Sequence, residues 1–249
     1  MGDICCYYLK ILSMEMPNIQ QLAAEKTDST TISYFLLRQL IGILGILLPF
    51  ALMIFGGRLQ PSLSHYYYSF SHTIFIGTLA SLSTFLITYK GEYRIENWLA
   101  NIAGVCAAGV AIFPTNVKGF IGAKFISIPI SAESSHLANV LHYGFATVLF
   151  ICFALFCAVV FQKPDRNEIV DDKKRMRNRV YRICAYIMIF SILAIAFLSI
   201  FKNLDFPYST LIFESTTLLP FGISWLLKGS YNWTYSKYDI LKILIKPLR

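Results

Sequence analysis

The stretch that decides the fold is His136–Phe161, HLANVLHYGFATVLFICFALFCAVVF, which contains no Asp, Glu, Lys or Arg. About 20 predominantly apolar residues in a helix are enough to cross the hydrocarbon core of a bilayer. An uncharged segment of this length is therefore typical of a transmembrane helix. It predicts that the chain is an integral membrane protein.

Five further windows approach or meet the same length requirement. They are Tyr34–Phe55, His72–Tyr89, Asn97–Phe113, Val180–Phe201 and Tyr208–Leu227. The stretches between them are polar or rich in Pro, Gly and Ser; the apolar run Phe120–Ile130 is too short to span and is interpreted as an interfacial or re-entrant piece of a long loop. The predicted fold is all-α, a polytopic bundle of six transmembrane helices.

The composition agrees with this class. The 249 residues are 56% hydrophobic and 14% charged, whereas roughly a quarter of the residues are charged in a soluble domain. The net charge of +8 would indicate nucleic acid in a soluble protein, but here the positions of the basic residues indicate topology.

Of the 22 Lys and Arg residues, 18 fall on the side of the two termini and 4 on the opposite side. Basic residues are retained in the cytoplasm. We therefore expect a cytoplasmic tail over residues 1–33, a transmembrane domain over 34–229 and a cytoplasmic tail over 230–249, in which Tyr238–Leu248 forms an interfacial helix. The predicted location is the cell membrane, with no role in nucleic-acid binding.

A cytoplasmic basic run precedes the fifth window, and cations beside an anionic leaflet attract its headgroups. This predicts membrane lipids as partners, with the alternative that the run only anchors the topology. The basic residues are Lys173, Lys174, Arg175, Arg177 and Arg179.

Polar residues that can carry chemistry cluster at the opposite side. Glu214 and His142 lie at similar depths in the sixth and fourth windows, and ionisable groups within a span normally face the bundle interior. His136, Asn139 and His142 recur every three residues along one side of a helix. If the second helix began near Ser62, His65 and His72 would also share a face.

These residues predict a ligand-binding pocket open to the outside, formed by His72, His136, Asn139, His142 and Glu214. We expect Glu214 and His142 to face each other across it. The alternative is that the histidines and Tyr66, Tyr67 and Tyr68 belong to an interfacial belt. No metal site is assigned, because the spacings match no metal motif, and the question of a cofactor stays open.

The third window carries Ala100, Gly104 and Ala108 at four-residue spacing. Small residues at this spacing let helices approach closely in lipid. We expect this helix to be the most enclosed.

Three short segments resemble a known family. The segments GVAIFPT (Gly109–Thr115), HYGFATVLFICF (His142–Phe153) and ISWLLKG (Ile223–Gly229) are similar to six-helix bacterial membrane proteins of unknown function, which are distantly similar to the DRAM and Sfk-type family. The resemblance covers about residues 34–229. It implies a six-helix bundle in the cytoplasmic membrane and carries over no site residue.

Three functions remain open. The first is a non-catalytic bundle that binds a lipid or small molecule, as a sensor or accessory protein. The second is a membrane-embedded enzyme at the outer leaflet, with Glu214 and His142 as acid and base. The third is a transporter, although transporter sites usually lie near the bilayer midplane. No nucleotide-binding loop, G-x-S-x-G elbow or H-E-x-x-H motif is present, which gives ATP-driven and classical hydrolase functions no support.

Overall fold

The computed structural model describes residues 19–126, 136–164 and 172–229, and it describes side chains from Tyr34 onward with the exception of Lys173. Over these ranges the chain is helical and contains no strand. The α-helices are α1 (Ile19–Phe55), α2 (His72–Thr88), α3 (Arg94–Ile112), α4 (His136–Leu155), α5 (Asp172–Ile200) and α6 (Ser209–Gly229). A π-helical turn, Phe156–Val160, extends α4.

Five of these helices are long and apolar enough to cross a membrane: Tyr34–Phe55 within α1, α3, α4 with its π-helical turn, Lys174–Ile200 within α5, and α6. The sixth, α2, has 17 residues and a length of about 25 Å at a rise of 1.5 Å per residue. That is shorter than the roughly 30 Å hydrocarbon core. All six helices lie at the predicted windows.

Two helices begin well before their predicted windows, and α3 begins slightly before its own. The backbone of α1 is already helical at Ile19, within the polar N-terminal stretch, and α5 begins at Asp172, within the basic stretch. Lys and Arg are good helix formers, and an acidic residue such as Asp172 stabilises a helix start. An apolar window therefore locates a span but misses its polar helical extension.

The helices form a closed ring in the order α1, α2, α3, α4, α5 and α6, with α6 packed against α1. The α1–α6 contact is the most extensive, and Gly42 and Gly222 face each other in it. A Cβ atom on Gly42 would lie 2.7 Å from the Gly222 carbonyl oxygen. Glycine is required at this crossing because the two backbones touch.

The small-residue stripe of α3 packs closely, as predicted. Half of the α3 residues are buried, the largest share among the five long apolar helices. A Cβ atom on Gly104 would lie 2.6 Å from Ile87 Cγ1 and 2.9 Å from the Ser83 carbonyl oxygen, both on α2. The glycine therefore lets α3 approach α2.

The bundle has two ends that differ in their polar contacts. We call the end with residues 56–71, 113–126 and 201–208 the histidine end. We call the end with residues 89–93 and 161–164 the arginine end. The two ends are separated in the ring interior by apolar and aromatic side chains.

A 3-10 turn, Leu63–Tyr68, folds into the histidine end between α1 and α2, and we call it the plug. Tyr66 and Tyr68 are fully buried in it. The belt interpretation of these two tyrosines is therefore wrong, and so is the idea that α2 begins near Ser62. The Ser62 side chain accepts from the His65 amide and caps the plug, and α2 begins only at His72.

An aromatic block fills the ring toward the arginine end. Phe153 and Phe221 stack with ring centroids 3.6 Å apart, and Trp225 lies against Phe156 and Phe161 at 5.1 and 5.2 Å. All five rings are fully buried. This block closes the interior below the polar groups of the histidine end.

Two predicted segments lie partly or wholly outside the described residues. The described part of Phe120–Ile130 ends at residue 126 and is irregular with bends, and the Phe125 amide donates to the Tyr68 carbonyl at 2.9 Å. The remainder of that run and the predicted interfacial helix Tyr238–Leu248 lie outside the described residues.

Candidate functional site

The plug joins Glu214 and His142. The Nε2 atom of His142 lies 2.9 Å from Ser64 Oγ, and Ser64 and Glu214 line the same small cavity. The Leu63 amide donates to Glu214 Oε2 at 2.5 Å. The two residues that were expected to face each other thus meet through the plug, and we call Glu214, Ser64 and His142 the polar chain.

The hydrogen bonds define where protons can lie in the polar chain. The Nδ1 atom of His142 is 2.7 Å from the Phe113 carbonyl oxygen, which only accepts, so Nδ1 carries a hydrogen. A neutral His142 therefore has no hydrogen on Nε2, which accepts the Ser64 hydroxyl hydrogen, whereas a charged His142 would donate from Nε2 to Ser64 Oγ.

A second histidine, His65, lies within the plug and connects it to the loop after α3. His65 Nε2 donates to the Lys118 carbonyl at 3.1 Å, and Ser62 Oγ lies 2.6 Å from His65 Nδ1. Burial lowers the pKa of His65, and the hydrogen bond to Lys118 opposes this only in part. His65 is therefore neutral near pH 7 and holds the plug to the loop after α3.

A cavity of about 720 Å³ lies beside the polar chain, between α4, α5 and α6. Each helix contributes residues spaced three and four apart, which share a face: from Tyr143 to Phe150 on α4, from Ile192 to Ser199 on α5, and from Ser209 to Glu214 on α6. The cavity lies where α4 and α6 both pack on α5, whereas nearer the arginine end Phe153 of α4 and Phe221 of α6 stack directly on each other.

The polar groups of this cavity are unevenly distributed. Lys202 and Asp205 line its exposed mouth, whereas the walls are mostly apolar and Glu214 lies deeper. An apolar cavity with a few fixed polar groups is typical of a ligand site. A second cavity, of about 40 Å³, adjoins it at Glu214 and is also lined by Ser64; it has room for a water molecule but not for a substrate.

The other predicted site residues make different contacts. His72 Nδ1 donates to the Tyr67 carbonyl at 2.5 Å, and Asn139 Oδ1 accepts from the Asn116 amide at 2.9 Å. His136 is exposed at the start of α4. The structure therefore brings His142 and Glu214 together but leaves His72, His136 and Asn139 outside the polar chain.

A buried charged cluster at the arginine end was not predicted. Arg38 of α1 lies 3.6 Å from Glu96 of α3, and the two side chains are 1% and 3% exposed. Arg38 Nε donates to the Tyr89 hydroxyl at 3.0 Å, and that hydroxyl donates to Glu96. Arg38 is one of the 18 basic residues on the side of the two termini. Its place inside the apolar window Tyr34–Phe55 was the signal that it has a buried partner.

The basic run at the start of α5 is not uniform. Lys174 is buried, and its Nζ donates to the carbonyls of Phe161 and Lys163 at 3.2 and 2.9 Å. It thus satisfies carbonyls at the end of the α4 extension. Arg175 and Arg179 are exposed.

Among the described residues there is no group of three His, Cys, Asp or Glu side chains that could hold a metal ion. Comparison of the chain with known protein families, with curated proteins and with solved structures found no match.

Proposed function

We propose that the chain is a six-span protein of the cell membrane with both termini in the cytoplasm. The five long apolar helices and the shorter α2 form one antiparallel ring, and a short span is accommodated by local thinning of the bilayer. The 18-to-4 distribution of basic residues supports the orientation. The histidine end then faces outward. The six-helix family resemblance agrees with this topology.

The protein binds an amphipathic ligand, a lipid or a lipid-like small molecule, in the cavity between α4, α5 and α6. The observation that carries this proposal is the combination of a 720 Å³ volume, apolar walls and a charged mouth. The volume lies within the roughly 300–1,000 Å³ of known ligand pockets. Ligand occupancy would be sensed by the polar chain, because Glu214 lines the cavity and contacts the plug.

A matched pair of substitutions tests this function. Thr147 lines the cavity and its neighbour Val148 does not, and both are exposed enough to accept a tryptophan. Native mass spectrometry of the protein released from its membrane should detect a bound amphiphile in the parent and in Val148→Trp, and none in Thr147→Trp. Equal retention in the two variants would refute the cavity as the binding site.

A membrane-embedded enzyme is the second candidate, and the 2.9 Å contact between His142 and Ser64 favours it. A histidine that accepts the hydrogen of a serine can activate that serine as a nucleophile. The small size of the cavity at Ser64 ranks this function lower. Ser64→Ala should leave ligand binding intact if the protein only binds, and should abolish turnover of the bound amphiphile if it is an enzyme.

A transporter ranks third, because the aromatic block lies between the cavity and the arginine end.

We also propose that anionic lipid headgroups bind the basic run at the start of α5. The proposed headgroup contacts are Lys173, Arg175, Arg177 and Arg179. Lys174 does not belong to them because it is buried. Vesicle binding that persists after the three arginines are replaced by glutamine would contradict it.

A further inference from the structure

Two opposite charges stand at the mouth of the α4–α5–α6 cavity. Lys202 and Asp205 lie at either end of the 3-10 turn Lys202–Leu204, both are exposed, and both line the cavity. Within the described ranges, neither forms an ion pair. The two charges are therefore held at one opening while both remain available to a ligand.

Local structure fixes the position of both residues. The Asp205 amide donates to the Lys202 carbonyl at 3.2 Å, which closes the turn. The Ser209 hydroxyl donates to Asp205 Oδ1 at 2.5 Å and ties that carboxylate to the first turn of α6. One carboxylate oxygen is thus used by the helix start, and the other has no hydrogen-bond partner among the described residues.

The depth of the cavity fits one leaflet of a bilayer. Its wall on α5 runs from Ile192 nearly to the helix end at Ile200, a distance of about 12 Å at 1.5 Å per residue. Half of the hydrocarbon core is about 15 Å. A ligand whose headgroup lies at Lys202 and Asp205 would therefore extend its chain through the outer half of the membrane.

We infer that the occupant of this cavity is a zwitterionic phospholipid, whose phosphate contacts Lys202, whose ammonium group contacts Asp205, and one of whose acyl chains fills the apolar part. This inference rests on the proposed ligand-binding function and specifies its ligand class. An anionic amphiphile would satisfy Lys202 but be repelled by Asp205, and a cationic one would meet the reverse conflict. Only a ligand with both charges complements the mouth.

Three lipids with identical acyl chains separate these possibilities. Phosphatidylethanolamine carries both charges, phosphatidic acid carries only the phosphate, and diacylglycerol carries neither. Native mass spectrometry with each lipid titrated into the purified protein should give the affinity order in which they are named. The steps are expected to be roughly two- to fivefold, because charge pairs at exposed positions contribute little.

Single substitutions assign the charges. Lys202→Gln should weaken both phosphate-bearing lipids, whereas Asp205→Asn, which keeps an oxygen for Ser209, should weaken phosphatidylethanolamine alone. Lys118→Gln, an exposed lysine at the same end outside the cavity, is the control and should change nothing. Equal binding of the three lipids, still abolished by Thr147→Trp, would overturn the headgroup inference and leave the proposed function standing. If none of the three lipids binds, the headgroup inference and the proposed function are both overturned.

Discussion

His142 of α4 contacts the plug through Ser64, with 2.9 Å between Nε2 and Oγ. The Leu63 amide of the same plug donates to Glu214 Oε2 of α6 at 2.5 Å, so two adjacent plug residues contact α4 and α6. The connection lies between the large cavity and the small one. Glu214 and His142 therefore both hydrogen-bond to the plug, through Leu63 and Ser64 respectively.

Removing the Ser64 hydroxyl should destabilise the fold. We expect Ser64→Ala to lower the free energy of unfolding by about 1–3 kcal/mol, because it leaves the buried Nε2 atom of His142 unsatisfied. Ser199→Ala removes an exposed hydroxyl that bonds only within its own helix and should cost little. The replacements Glu214→Gln and His142→Gln should cost less together than the sum of the two singly. Strict additivity in thermal unfolding would contradict the polar chain.

The Arg38–Glu96 ion pair makes the arginine end sensitive to a single substitution. Arg38→Gln should cost about 3–5 kcal/mol, since it leaves a buried carboxylate without its cation. Replacing Glu96 by glutamine in the same protein should recover part of this loss. Arg94→Gln, at the exposed first residue of α3, two positions before Glu96, is the matched control. Arg38→Gln and Arg94→Gln proteins of equal stability would show that the pair contributes nothing.

Close packing of α3 on α2 predicts a strong effect at Gly104. Leucine there would meet Ile87 and Ser83, and overpacking typically costs about 1–3 kcal/mol. Gly77 of α2 has open space around it, so Gly77→Leu should be tolerated. Thermal unfolding in detergent distinguishes the two variants. A Gly104→Leu protein as stable as its parent would rule out the close approach.

His65 makes stability depend on pH. Because burial lowers the pKa of His65 below its ordinary value of 6.5, the unfolded chain binds a proton at this residue more readily than the folded chain does. Its contribution is complete above pH 6.5 and is lost as the pH falls toward the folded pKa. His65→Gln should therefore flatten the decline in unfolding temperature between about pH 7.5 and 5, whereas replacing the exposed His136 should not.

Apolar length was sufficient to predict the positions of the helices, because a span is defined by composition. The sequence predicted that Glu214 and His142 lie at similar depths in their helices. It did not predict that they meet through the plug. The mediator, Ser64, lies in a polar stretch that gave no periodic signal, and its position depends on the plug turning inward. His72, His136 and Asn139 shared spacing and sidedness, but backbone partners in the loops engaged two of them. Sequence spacing identifies a helix face, whereas tertiary contacts decide which polar residues on it meet.

The most direct test of the ligand-binding cavity is to locate a bound lipid along the chain. We would reconstitute the protein in vesicles that contain a phospholipid with a photoactivatable acyl chain, irradiate them, and identify labelled positions by mass spectrometry. We predict labelling on the cavity faces of α4, α5 and α6, at positions such as Thr147, Ile195 and Phe213. This labelling should be lost in Thr147→Trp. Labelling that is confined to outward-facing positions such as Val148 and Ile189, and is unchanged by Thr147→Trp, would contradict lipid binding in the cavity.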